Sequence, residues 1–379
     1  MSGREAKPKP TGKAKDRKRA GQDVALASLV PVDVQDQLKR LPALEAENAR
    51  LREQLVWSQR GNPTERTGGT LSIFRSDDHV GDRAHLLNCH AALVQKSLVI
   101  INQYQPDKVK LIFGGDFVAG RGIYKEQHMD SVSSDVNEQV AVAAHYVSRY
   151  AEDIAKELCW DLSDPECGKT IEIHIHKGNH DYALNHEIIS LLHALLSMHF
   201  FHTPVVRVIN EGVRSVLNLA DKGVYNVLVT HGTGHSQLSP SSPTFWNGIK
   251  DIIIMLQQQL SPKESIHRVL HGHTHWFNIG MERIPGLSVD VSGGLQRNER
   301  VRLNMTSRPV GWVAYVSPKG YDSILQPIPI QPDLETLEFE FQDPNLAYRN
   351  MQAFAEIMGQ INTTRLGKSL YKWLRDGRW

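Results

Sequence analysis

The chain has 379 residues, 40% hydrophobic and 22% charged, with a net charge of +1, the balance expected of a soluble globular protein. No run of about 18 apolar residues occurs and the first 20 residues hold no apolar stretch, so neither a transmembrane helix nor a secretory signal is expected. Three cysteines (Cys89, Cys159, Cys167) are too few and too scattered for a disulfide framework or a thiolate zinc site, which points to a reducing, cytoplasmic setting.

Taken in chain order, residues 1–24 are rich in Lys, Pro and Gly without apolar periodicity and read as a disordered basic tail. Residues 1–20 alone hold eight Lys or Arg against Glu5 and Asp16, which leaves 21–379 at −5. A mildly acidic body argues against capture of nucleic acid over the whole surface. Residues 32–58 read as a short coiled-coil helix. Leu41, Leu44, Asn48, Leu51 and Leu55 alternate spacings of three and four, and Asn48 at a core position satisfies its amide by facing its twin in a parallel homodimer through 41–57. A lone amphipathic helix is the alternative.

Residues 59–70 form a Gly- and Pro-containing linker, and the main domain runs over 71–330. Strands are predicted at 71–76, 108–114, 171–177, 226–230, 267–271, 287–292 and 310–316, with a long helix over 132–158. Alternating strands and helices indicate an α/β domain. Residues 331–379 read as a C-terminal tail, acidic at first and helical later, in which Tyr371, Trp373 and Trp379 interleave with Arg365, Lys368, Lys372, Arg375 and Arg378. Such a helix could meet phosphates and stack on bases, or dock by Leu366, Leu370 and Leu374.

Five short segments stand at predicted strand ends: Asp77-Asp78-His79, Gly115-Asp116, Gly178-Asn179-His180-Asp181, His231-Gly232 and Gly272-His273-Thr274-His275. Side chains at the carboxyl ends of neighbouring strands converge on one crevice of an open sheet. Carboxylates, imidazoles and one amide, with no thiolate, suit hard or borderline divalent ions, and one carboxylate between two ligand sets can bridge two of them. His174 and His176 alternate along their strand away from that end and read as structural, Asp78 as facing away or hydrogen-bonded, and His235 as a substrate contact or a loop residue.

The ordered run DxH, GD, GNHD, H, GHxH resembles the signature of the calcineurin-like metallophosphoesterases over residues 71 to about 300. The resemblance implies a four-layer α-β-β-α sandwich with two mixed sheets. It implies one metal site of Asp77, His79, Asp116 and His275 and a second of Asp116, Asn179, His231 and His273. It further implies two divalent ions, manganese first, with iron, zinc or magnesium as other candidates, and in-line attack on phosphorus by water activated between them. His180 is then the residue that protonates the leaving oxygen, and Asp181 orients that imidazole or a neighbour.

The continuation Asp116-Phe117-Val118 lacks the Asp-Arg-Gly of protein serine/threonine phosphatases. The run from Gly115-Asp116 through Gly122-Ile123-Tyr124-Lys125-Glu126-Gln127 to the GNHD segment is similar to the exonuclease small subunit of archaeal replicative polymerase and, more loosely, to double-strand-break repair exonucleases. A nuclease acting on nucleic acid, a phosphatase or phosphodiesterase of small molecules or nucleotides, and a non-catalytic scaffold retaining the metal site are the three readings left open. No membrane partner is expected.

Overall fold

The computed structural model describes residues 68–85, 87–121, 131–182, 188–220, 225–232, 243–258, 265–273, 278–284, 287–291, 311–316, 323–328 and 345–363. All of them lie in the unit Thr64–Trp379. The expected basic tail, the coiled-coil helix, most of the linker, the run Gly122–Gln127 and the cationic aromatic segment after Arg365 lie outside the described residues.

In chain order the elements are β1 (Thr70–Arg75), α1 (Leu87–Tyr104), β2 (Lys108–Phe113), α2 (Val136–Glu157), β3 (Thr170–His176), α3 (Ile188–His199), β4 (Val206–Gly212), β5 (Arg214–Asn218), β6 (Asn226–His231), α4 (Pro243–Gln257), β7 (Ile266–Gly272), β8 (Asn278–Ile284), β9 (Leu287–Val291), β10 (Gly311–Val316), β11 (Ser323–Ile328) and α5 (Leu346–Thr363). They build two mixed sheets, β11-β10-β1-β2-β3-β4 and β5-β6-β7-β9-β8. In the first, β1 to β4 run parallel, with β10 and β11 antiparallel at one side. In the second, β6, β7 and β9 are parallel and β5 and β8 are antiparallel edges.

Alternation along the strands decides the layers. Leu71, Ile73, Val109, Leu111, Ile171 and Ile173 point into the large core with α1, α2, α3 and α5. Phe74 and Ile112 point the other way and meet Leu217, Val227, Val229 and Leu270 of the second sheet. Leu228 and Val269 then face Phe245, Trp246, Ile249 and Ile252 of α4. The order is helices, sheet, sheet, helix, the four-layer sandwich anticipated from the resemblance. Helix α2 begins where Asp135 accepts the Asn137 N–H at 2.9 Å, a side-chain cap on an otherwise unpaired donor.

The space between the sheets is partly polar. Lys110 stands 3.1 Å from Glu172, and His174 donates Nδ1–H to Glu211 at 2.7 Å with its Nε2 3.4 Å from Glu172. His176 donates to the Phe113 carbonyl at 3.1 Å and accepts from the Ser215 hydroxyl at 2.8 Å. His176 thus connects the two sheets through Ser215 of β5, while His174 joins β3 to β4 within the first sheet. Residues 346–363, which the sequence reading places in a tail, form α5, and its Leu346 and Phe354 enter the large core. No helix among the described residues is long and apolar enough to cross a membrane.

Candidate metal centre

Strands β1, β2, β3, β6 and β7 all deliver their carboxyl ends to one rim. Backbone hydrogen bonds lock the first two loops together there: Asp77 N–H to the Gly115 carbonyl, His79 N–H to that of Asp116 and Val80 N–H to that of Phe117, each at 3.0 Å. Asp77, His79, Asp116 and His273 have φ of 60°, 50°, 52° and 87°. Left-handed backbone costs an L-residue about 1–2 kcal/mol, so four such residues at one rim mark a place where surrounding structure fixes side-chain direction. Glycine is required next to them: a Cβ on Gly178 would overlap the Asp116 carboxylate and backbone nitrogen, and one on Gly272 would overlap the Ser76 hydroxyl.

Asp116 is the centre of this rim. One carboxylate oxygen accepts the His180 backbone N–H at 2.7 Å and the other lies 3.0 Å from His231 Nε2. Burial pushes its carboxyl up, but the imidazoles of His231 and His180 outweigh that and hold it well below the usual carboxylate range. Burial likewise pushes His231 down, while Asp116 and Asp77 lift it to about 9. His231 donates Nδ1–H to the Gly114 carbonyl at 2.7 Å, which fixes Nε2 as the nitrogen offered to the centre. Asp77 accepts the His273 backbone N–H on both oxygens, at 3.0 and 2.9 Å, and stands 4.0 Å from His231 Nε2.

Two groups of ligand atoms emerge, each within 4.8 Å of one another, and Asp116 belongs to both. The first is His79, Asp116 and His180; the second is Asp116, His231 and His273. Asn179 Oδ1 is buried without a hydrogen-bond partner among the described residues, an orphaned acceptor of the kind a cation satisfies. Carboxylate, imidazole and amide oxygen with no thiolate make a donor set that fits one or two divalent ions. His275 and His235 lie outside the described residues.

The His180 ring stands 4.5 Å from that of His79, edge to face, and donates Nδ1–H to the Ala119 carbonyl at 2.7 Å. Its Nε2 is therefore the reactive nitrogen. The structure brings His180 into the first ligand group, where the sequence reading leaves it apart from the metals. The sequence reading has Asp181 orient that imidazole or a neighbour. Among the described residues its carboxylate makes no hydrogen bond to the His180 ring; one oxygen accepts the backbone N–H of Asp116 and of Gly178, both at 2.9 Å. Asp181 is a positioning residue that ties the second and third loops, and burial together with the charge of Asp116 raises it to about 6.

No protein-family model matches this chain, and no curated protein matches it either. Solved structures that resemble it include a conserved uncharacterized protein from Streptococcus pneumoniae TIGR4, a predicted phosphoesterase, at 12% identity and TM-score 0.28, covering 68% of this chain and 98% of that one. Zinc-complexed Vps29 from Entamoeba histolytica gives 12% identity and TM-score 0.29, over 68% and 97% of the two chains. A 5′-nucleotidase precursor from Thermus thermophilus gives 11% and 0.31, over 78% and 60%. Similarity at this level carries no argument about chemistry, which rests on the side chains above.

One pair beneath the rim escapes sequence reasoning. Arg75, at the end of the apolar strand β1, is buried, places Nη2 2.9 Å from Asp78 and lies 4.7 Å from the Phe113 ring centroid. Asp78 thus turns inward, away from the ligands on either side of it. The signal available in the sequence was an arginine closing an otherwise apolar strand, three residues before a carboxylate.

Proposed function

We propose that the chain is a phosphoester hydrolase working with two divalent cations, and that its substrate is the phosphodiester of a nucleic acid, cleaved exonucleolytically. The observation that carries the hydrolytic part is the meeting of two ligand groups on the single carboxylate of Asp116. Support for nucleic acid comes from the similarity of the run Gly115-Asp116, Gly122–Gln127 and Gly178–Asp181 to polymerase-associated and repair exonucleases. Manganese is the first candidate for the cations.

When bound, two such cations would supply an acidified water and offset the charge of the phosphoryl oxygens. Asp77, His79, Asp116, Asn179, His231, His273 and His275 would hold them. Around that centre the chain contributes fixed geometry. Gly114 and Asp77 hold His231 and His273 in place through the hydrogen bonds given above, so little reorganisation is left for the reaction. His180 acts at Nε2: while Nδ1–H stays on the Ala119 carbonyl, a proton on Nε2 passes to the departing oxygen.

The test is a substrate panel with purified protein. Single-stranded DNA with Mn²⁺ should be degraded from an end, and chelator should stop it. Hydrolysis of bis-p-nitrophenyl phosphate without cleavage of any oligonucleotide would reject the nuclease assignment and leave a small-molecule phosphodiesterase.

A further inference from the structure

Behind His180 stands a side chain outside both ligand groups. Gln139, in the first turn of α2, is fully buried. A buried amide is expected to use its donors and acceptor, and Gln139 uses all of them. Its Oε1 accepts the Gly120 N–H at 2.9 Å. Its Nε2 donates to the Ser133 carbonyl at 2.8 Å and to the Gly120 carbonyl at 3.4 Å. One N–H and two carbonyls leave a single way to place the amide oxygen and nitrogen. Packing confines the side chain as well: a Cβ on Gly81, whose φ is 93°, would stand 2.6 Å from Gln139 Cγ.

The Gly120 N–H belongs to the same peptide group as the Ala119 carbonyl, and that carbonyl accepts Nδ1–H of His180 at 2.7 Å. A peptide group is planar and turns as one body, so fixing its N–H also fixes its oxygen. The groups therefore form a line: Gln139 Oε1, Gly120 N–H, Ala119 C=O, His180 Nδ1–H. Each bond in such a line polarises the next. A carbonyl carries no net charge, so its strength as an acceptor depends on where its own peptide N–H is directed. On the near side the Ala119 N–H bonds the Val80 carbonyl at 2.9 Å, which leaves the following peptide as the one that Gln139 sets.

We propose that Gln139 is a positioning residue for His180, holding the Ala119–Gly120 peptide so that the imidazole keeps Nδ1–H on the carbonyl and presents Nε2 to the departing oxygen. The inference rests on the hydrolytic reading above. As the bond from phosphorus to the leaving oxygen breaks, the proton on Nε2 passes to that oxygen. The imidazole is left neutral with its proton on Nδ1, and Gln139 neither gains nor loses one.

The test uses the full chain loaded with Mn²⁺ and two esters of similar shape, bis-p-nitrophenyl phosphate and diphenyl phosphate. p-Nitrophenolate leaves without a proton, whereas the more basic phenolate needs one. Gln139→Met should slow turnover of diphenyl phosphate by about tenfold to a hundredfold, the scale of a misdirected catalytic group, and of the nitro ester by less than about twofold. KM and the ion content should not change, since only an interaction of the transition state is lost. Gln139→Asn, which withdraws the amide by a methylene, carries the same expectation should Gln139→Met not fold. His180→Asn should show the same split in larger measure. Heteronuclear NMR of the metal-free, histidine-labelled chain reads the positioning without turnover: His180 should be held as the Nδ1–H tautomer in the wild type and exchange between tautomers in the Gln139 variants. A split seen in His180→Asn but absent from the Gln139 variants, loss of an ion in them, or a His180 tautomer that they leave fixed overturns the positioning role alone. Equal slowing of both esters by His180→Asn, or a wild type that cleaves neither, overturns the hydrolytic reading and the role with it.

Discussion

Replacing Asp181 with Ala probes how the rim is built. Its carboxylate is fully buried and accepts two backbone N–H groups from loops that are 65 and 3 residues away in sequence. Removing it strands both donors, and each buried donor without an acceptor costs about 1–3 kcal/mol. Relief of repulsion with Asp116 returns part of this, so the net loss is about 3 kcal/mol. At about 2 °C per kcal/mol for a unit of this size, the melting midpoint should fall by about 6 °C in chelator. Asp181→Asn keeps an acceptor oxygen for both donors but buries an amide N–H₂ where Oδ1 now has no hydrogen-bond partner among the described residues. It should fall about half as far. Thermal unfolding monitored by circular dichroism gives both numbers. If Asp181→Ala melts within 1 °C of the wild type (about 0.5 kcal/mol on that scale) while turnover drops, the loop-tying role is wrong and the carboxylate acts on an imidazole after all.

Three further outcomes follow from the same geometry. His180→Asn should lower turnover by about 10²–10⁴-fold with two ions still bound, measured by kinetics and elemental analysis; loss of an ion would make His180 a ligand. Asp78→Ala leaves the buried Arg75 guanidinium without its carboxylate and should destabilise by about 3–5 kcal/mol in urea unfolding, whereas a loss under about 1 kcal/mol would show the pair to be dispensable. His174 is pushed down by burial but, on balance, raised by Glu172 and Glu211, with Lys110 opposing. A raised histidine stabilises fully below its unfolded pKa of about 6.5 and stops doing so as pH rises through its folded value. Urea midpoints of the wild type should therefore fall from pH 6 toward alkaline pH more than those of His174→Gln, and parallel profiles would refute the ion-pair assignment.

Much of the site was readable because its information is local. Parallel strands buried on both faces appear as near-continuous apolar runs, as in Leu71–Phe74 and Val227–Val229, and the candidate ligands follow those runs directly. Strands that escaped notice are the four sheet edges: β4 reads VRVINEG, β5 reads RSVLN, β8 reads NIGMERI, and β11 carries Pro327, which an edge tolerates because no ladder donor is needed there. The role of Asp181 was hidden for a different reason. A sequence displays side-chain types, whereas the partners of this carboxylate are backbone N–H groups whose position depends on how two loops meet. The same holds for His174 and His176, whose partners Glu211 and Ser215 lie 37 and 39 residues downstream.

Elemental analysis of manganese-loaded, desalted protein tests the central claim most directly. The wild type should retain two ions per chain, and Asp116→Ala, which deletes the carboxylate common to both ligand groups, should retain neither. An Asp116→Ala protein that keeps one ion at full occupancy, or a wild type that binds only one, would contradict a centre built around a shared carboxylate.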